Sequence, residues 1–269
     1  MMQVLNGSLV ALITPMLKNG EIDFSSLGKL IDWHINEGTN GIVSVGTTGE
    51  SATVNIEEHV KIIEFTVKHV NKRIPVIAGT GANSTSEAKD LTQEACALGA
   101  DFALIVTPYY NKPTQNGLIK HYLELAESAD LSQILYNVPS RTACDLLPST
   151  ASILSDHKNI VGIKEAVSEN KRMRELIAIG RSKENFKIYS GDDPTFFDFL
   201  KMGGDGVISV AANVIPKSIS SICRFVRENN ISEAKKLNEA NNNLYELLFI
   251  ESSPIPVKWM AYKMGLTEN

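Results

Sequence analysis

The chain is poor in the features that mark metal centres and cross-linked secreted domains. It has three cysteines in 269 residues, Cys96, Cys144 and Cys223. They are far apart, odd in number and form no CxxC, so neither a disulfide framework nor a zinc site is suggested and the compartment reads as reducing. The five histidines, at positions 34, 59, 69, 121 and 157, form no HxH or HExxH, which leaves a metal centre without a ligand pattern. Positive charge is not in excess. With 26 Lys and Arg against 31 Asp and Glu the net charge is −5, which argues against non-specific nucleic-acid binding. No apolar run approaches the roughly 20 residues of a membrane span. The N-terminus, Met1–Gly7, lacks a basic region followed by an apolar one, so no signal peptide is read and a cytoplasmic protein is expected.

What is present is a regular alternation. Strand-like runs are expected at Ser8–Thr14, Gly41–Thr47, Pro75–Thr80, Phe102–Thr107, Gln133–Val138, Ile160–Lys164, Phe186–Ser190 and Gly206–Val210. Most are near-continuously apolar, which suits parallel strands covered on both faces. Helical segments lie between them. Asn55 with Glu58, and Ser84 with Glu87, have capping-box spacing. Asp193-Pro194 places proline at a first helical position. Gly38, Gly99 and Gly203 follow helical segments as left-handed caps. Eight such units argue for a (β/α)8 barrel, with a doubly wound open sheet as the alternative. Residues 1–229 are read as the barrel. Residues 230–269 are read as a helical appendage, with helices at Pro216–Asn229, Ser232–Phe249 and Pro256–Met264, the first of these closing the barrel.

Barrel chemistry gathers at the C-terminal ends of the strands. Those ends carry Gly46-Thr47-Thr48-Gly49-Glu50-Ser51, Gly79-Thr80-Gly81-Ala82-Asn83, Tyr109-Tyr110, Tyr136 through Arg141, Lys164-Glu165, Ser190-Gly191-Asp192-Asp193 and Ile208-Ser209. Lys164 is the most informative. It ends a buried-strand run, where a cation is costly unless it has a task. Burial favours the neutral amine that attacks carbonyls. The plain alternative is a lysine that snorkels outward into a salt bridge, with Glu165 as the near partner. Hydroxyls on the same rim can relay the protons of carbinolamine chemistry, and an arginine can clamp a carboxylate. The run from Gly79 to Ser84 begins like a dinucleotide fingerprint but lacks its third glycine, and Asp101 precedes a strand instead of ending one. Gly46–Ser51 is not a P-loop, since no Gly-Lys-Ser/Thr follows.

GTTGES at 46–51, YNVPSRT at 136–142 and GIKEA at 162–166 resemble the class I aldolase superfamily around N-acetylneuraminate lyase. Within it the chain is similar to the dihydrodipicolinate synthase family over essentially its whole length, including VTPYYN at 106–111, SGDD at 190–193 and PIPVKW at 254–259. The resemblance implies a cofactor-free TIM barrel that condenses pyruvate with L-aspartate 4-semialdehyde through a Schiff base on Lys164. It implies a proton relay of Tyr136, Thr47 and Tyr110, the last reaching in from a neighbouring subunit of a homotetramer built as a dimer of dimers. Thr48 would hold the pyruvate carboxylate and Arg141 that of the semialdehyde. The carbonyls of Gly191 and Ile208 would shape the pocket. An L-lysine effector site would fall on Ser51, Ala52, His59, Asn83, Glu87 and Tyr109, with Ile56 standing where lysine-sensitive members often have histidine. Relatives usually continue through further helices, so the appendage is expected to be shortened. The alternatives are a lyase for N-acetylneuraminate or a 2-keto-3-deoxy sugar acid, against which Arg141 argues, and a catalytically silent barrel.

Overall fold

The computed structural model describes residues 5–268; Met1–Val4, where the signal-peptide reading begins, and Asn269 lie outside the described residues. Eight parallel strands close a barrel in sequence order: β1 (Gly7–Ala11), β2 (Gly41–Ser44), β3 (Val76–Gly79), β4 (Phe102–Val106), β5 (Ser132–Asn137), β6 (Ile160–Glu165), β7 (Lys187–Ser190) and β8 (Gly206–Ser209), which pairs back onto β1. The helices are α1 (Phe24–Asn36), α2 (Ile56–Val70), α3 (Thr85–Ala97), α4 (Gln115–Ser128), α5 (Pro139–Thr142), α6 (Pro148–Leu154), α7 (Asn170–Ser182), α8 (Phe196–Met202), α9 (Pro216–Arg227), α10 (Ile231–Ala240), α11 (Asn242–Leu247) and α12 (Ile255–Lys263). The closed parallel barrel is the fold that the alternation predicts. No helix among the described residues is long and apolar enough to cross a membrane.

The strands read as apolar runs because both faces are covered. Leu9, Val43, Ile77, Leu104, Ile134 and Ile208 fill the barrel interior, while their neighbours Val10, Ile42, Ala78, Ile105, Leu135 and Val207 meet the helices. Each such side chain contributes roughly 1.5–3 kcal/mol of burial, so the interior is a packed core that holds the strand ends still.

The capping signals work as read at five sites. Asn55 forms a full capping box with Glu58, and the Ser84 side chain accepts the Glu87 N–H. Gly38, Gly99 and Gly203 have φ of +86°, +86° and +107° just past their helices. Three expectations need correction. Strand two stops at Ser44, not Thr47, because Val45 turns to φ +51°. Pro194 lies in a turn, and α8 begins only at Phe196, with Thr195 bonded back to Asp192 at 2.5 Å. The single helix expected at Ser232–Phe249 breaks at Asn241, whose side chain donates to the Leu237 carbonyl and to Ser218 Oγ. Asparagine competes with the helix for its own carbonyls, and Asn241 ends α10 in this way, while Asn242 and Asn243 already belong to α11.

Candidate active site

Lys164 lies in register with Tyr136 of β5 on one side and Tyr189 of β7 on the other. Its residue exposure is 5%, and Nζ sits 4.2 Å from the centroid of the Tyr136 ring. The outward salt bridge to Glu165 does not form. Strand alternation sends consecutive side chains to opposite faces, so Lys164 points into the barrel mouth and Glu165 toward the helices. Among the described residues no carboxylate pairs with Lys164. The amine is therefore held by packing and a ring face, not by a counter-ion.

Gly191 makes this placement possible. A Cβ there would stand 2.9 Å from Lys164 Cε and 3.2 Å from Cγ. Its N–H donates to the Glu165 carbonyl at 2.7 Å, so the backbone of residue 191 cannot back away. Gly191→Ala is expected to fold normally but to displace the amine by some tenths of an ångström to an ångström. If Lys164 forms the Schiff base with pyruvate that the sequence resemblance implies, pyruvate-dependent borohydride inactivation should slow by about a hundredfold, the scale of a misplaced reacting group. A variant trapped at the wild-type rate would show that the contact is not limiting.

Thr47 and Thr48 sit in the loop that leaves β2. Val45 directs it with a left-handed backbone that a β-branched residue adopts only under constraint. The constraint is visible on β3: a Cβ at Gly79 would lie 2.3 Å from the Val45 carbonyl oxygen, so only glycine lets the two chains pass. Thr14 Oγ1 donates to the Gly49 carbonyl at 2.7 Å and fixes the loop from below. Thr48 is buried and Thr47 half-buried.

Arg141 sits on the single turn of α5, which starts at Pro139. Its Nη2 donates to the Ser253 carbonyl at 3.2 Å, an anchor 112 residues away that leaves the rest of the guanidinium fork free. Thr47, Val138, Arg141 and Thr142 wall a cavity of about 260 Å3 together with Ser51, Ala52, Ile56, His59, Glu87 and Tyr109. Five of the six residues expected at an effector site thus share one cavity. Asn83 is not on its wall; its carbonyl accepts from Asn111 Nδ2 at 3.0 Å. His59 Nε2 bonds the Gly79 carbonyl at 2.7 Å, and burial lowers its pKa. Tyr110 takes φ +74° and is 88% exposed. Within one chain no hydrogen bond among the described residues joins it to Tyr136 or Thr47. Ile208 lines the barrel interior near Tyr189 and Tyr136. Among the described residues no cluster of three His, Cys, Asp or Glu is placed to hold a metal ion. Asp101, the acid set against the dinucleotide fingerprint, accepts the Val76 N–H and pairs with Lys72.

The sequence model of the dihydrodipicolinate synthetase family matches residues 4–269. The chain belongs to that family. It is 54% identical over 263 residues to the 4-hydroxy-tetrahydrodipicolinate synthase of Stutzerimonas stutzeri (strain A1501), covering 98% of this chain and 89% of that one. Among solved structures it is similar to the chloride-inhibited dihydrodipicolinate synthase of Acinetobacter baumannii complexed with pyruvate, at TM-score 0.94 and 51% identity, covering 98% of this chain and 90% of the other. It also resembles the lysine-bound enzyme of Cyanidioschyzon merolae, at TM-score 0.92 and 35% identity, covering 97% and 89%.

The reading by strand ends missed what supports this family site from behind. Glu165 is buried, and its carboxylate accepts from Arg172 Nε at 2.7 Å, from Asn137 Nδ2 at 3.1 Å and from the Val167 N–H at 2.8 Å. Arg172 also binds Asp145 at 2.7 and 3.1 Å and the Leu146 carbonyl at 2.5 Å. Burial raises the Glu165 pKa, and Arg172 pulls it the other way. A second buried carboxylate, Asp193, accepts Ser209 Oγ at 2.5 Å and the N–H groups of Val210 and Ala211. It ties the Gly191 loop to the end of β8. The acids were visible at strand ends; nothing local in the sequence identified their partners.

Proposed function

We propose that this chain condenses pyruvate with L-aspartate 4-semialdehyde to 4-hydroxy-tetrahydrodipicolinate, with Lys164 as the nucleophile. The observation that carries it is a buried lysine with no acidic partner among the described residues, set against the Tyr136 ring and given room by Gly191. The Lys164 amine attacks the pyruvate carbonyl, and the carbinolamine loses water to give an imine. The imine draws electrons from the methyl group, which loses a proton and becomes an enamine. That carbon attacks the aldehyde. The amine of the semialdehyde then adds to the imine carbon, closes the ring and releases Lys164; one water leaves overall.

Tyr136 and Thr47 are the proton carriers of this scheme. Tyr110 completes the relay for a neighbouring subunit of a homotetramer, a role its exposure supports. Thr48 holds the pyruvate carboxylate. Gly191 and Ile208 offer carbonyls to the pocket. The side of that cavity lined by Ser51, Ala52, His59, Glu87 and Tyr109, adjoining the wall of Thr47 and Arg141, is the L-lysine effector site of the same reading. A steady-state rate unchanged by millimolar lysine would remove that role.

The deciding experiment is borohydride reduction with pyruvate followed by peptide mass spectrometry. A reduced pyruvate adduct is expected on the peptide that carries Lys164; an adduct elsewhere, or none, overturns the reading. Arg141 clamps the semialdehyde carboxylate. Arg141→Ala should lower kcat/KM for the semialdehyde by about a hundredfold, the worth of a charge-assisted pair, and leave pyruvate trapping intact. Arg141→Lys should recover little, because a point charge cannot reproduce the fork. Equal losses for both substrates would refute the assignment.

A further inference from the structure

One ion pair near the site joins segments 208 residues apart. Lys258 Nζ on α12 donates to Glu50 Oε1 at 2.5 Å, with side-chain exposures of 20% and 22%. Glu50 belongs to the turn that carries Thr47 and Thr48. Its N–H donates to the Thr47 carbonyl, and its own carbonyl accepts from the N–H groups of Thr53 and Val54 and from Thr53 Oγ1. It takes φ +64°, a conformation that a non-glycine residue keeps only when its surroundings hold it. The direction of the Glu50 side chain and the shape of the threonine turn are therefore one mechanical unit. The pair forms part of the wall of a cleft of about 550 Å3 between the Met16–Gly20 segment and α12.

We propose that Lys258 is a positioning residue for the pyruvate carboxylate, acting through Glu50. It holds the Glu50 side chain away from the threonine hydroxyls and neutralises a carboxylate only two residues from Thr48. Without it an anionic substrate would approach an uncompensated negative charge and a looser turn. The charge part rests on the reading of Thr48 as the carboxylate's partner; the mechanical part does not.

The test uses the full-length chain as wild type, Lys258→Met, Glu50→Gln and the double variant. Lys258→Met is expected to raise KM for pyruvate about fivefold with kcat little changed, the scale of one unpaired charge near the surface. Added salt, from about 50 to 500 mM, should shrink that difference, which a packing defect would not show. The double variant should recover most of the KM rise, since the repelling charge is gone with its partner, while exchange at residues 47–54 stays fast because the tie is still missing. Amide hydrogen exchange at residues 47–54 should quicken in Lys258→Met even without pyruvate. An active Lys258→Met enzyme with unchanged KM overturns the inference, as does a double variant that stays as impaired as the single one. Unchanged exchange at 47–54 refutes the mechanical hold. A wild type that never turns over pyruvate instead overturns the functional reading, and the exchange result still decides the mechanical hold.

Discussion

Lys164→Met is expected to reduce turnover by at least about a thousandfold while raising the melting temperature. On the proposed reading, the loss follows from removing the amine that forms the covalent intermediate; a site that still bound both substrates could not make the enamine. The gain follows from the environment. Lys164 is 5% exposed and faces a tyrosine ring, and among the described residues no acidic partner offsets its desolvation. Methionine has a similar length, fills the same channel beside Gly191, and brings no charge to bury. Sites kept for chemistry at the expense of stability respond in this way. Lys164→Arg should be as inactive as the methionine variant, because a guanidinium stays protonated. Coupled assays give the first quantity and calorimetry the second. A Lys164→Met protein that melts several degrees lower would mean that the lysine is a structural cation after all, and activity loss alone would then say little about nucleophilicity.

The barrel was legible because parallel strands buried on both faces leave an unmistakable apolar run, and eight of them alternate with capped helices. The rim was legible because strand ends, once located, can be read in sequence order. What could not be read falls into two physical kinds. One is backbone conformation imposed from outside. Nothing around Val45 announces a left-handed turn; it follows from the approach of β3 at Gly79, 34 positions later. The other is partnership across long separations. Arg141 meets the Ser253 carbonyl and Glu50 meets Lys258 because the appendage folds back over the rim, and only closure of the barrel decides that. The roles given to Thr47, Thr48, Tyr110 and Arg141 came from resemblance. The geometry supplies a common cavity for Thr47 and Arg141, and an exposed position for Tyr110.

Arg172→Ala is expected to destabilise the fold by about 3–5 kcal/mol, the range for stripping one partner from a buried pair. Arg172 is the hub at the back of the site: it ties β6 through Glu165 to the segment after α5 through Asp145 and Leu146. Its removal leaves the Glu165 carboxylate, whose side chain is 1% exposed, with only the Asn137 amide and the Val167 N–H. Asp145, at 41% exposure, can turn to water and should account for little of the loss. The pH dependence separates this mechanism from a packing defect. Burial already raises the Glu165 pKa above its ordinary carboxylate value in the folded protein, and without Arg172 it must rise further. A carboxyl with a raised folded pKa favours the folded state when protonated, and that contribution is lost as pH climbs through the folded value. The deficit of Arg172→Ala relative to wild type should therefore be smallest near pH 5 and grow toward pH 8, measured by denaturant unfolding at each pH. Glu165→Gln, which keeps the shape and removes the charge, should lose less than Arg172→Ala at pH 8. A deficit independent of pH would assign the loss to the missing arginine stem, and β6 would then owe the position of Lys164 to packing alone.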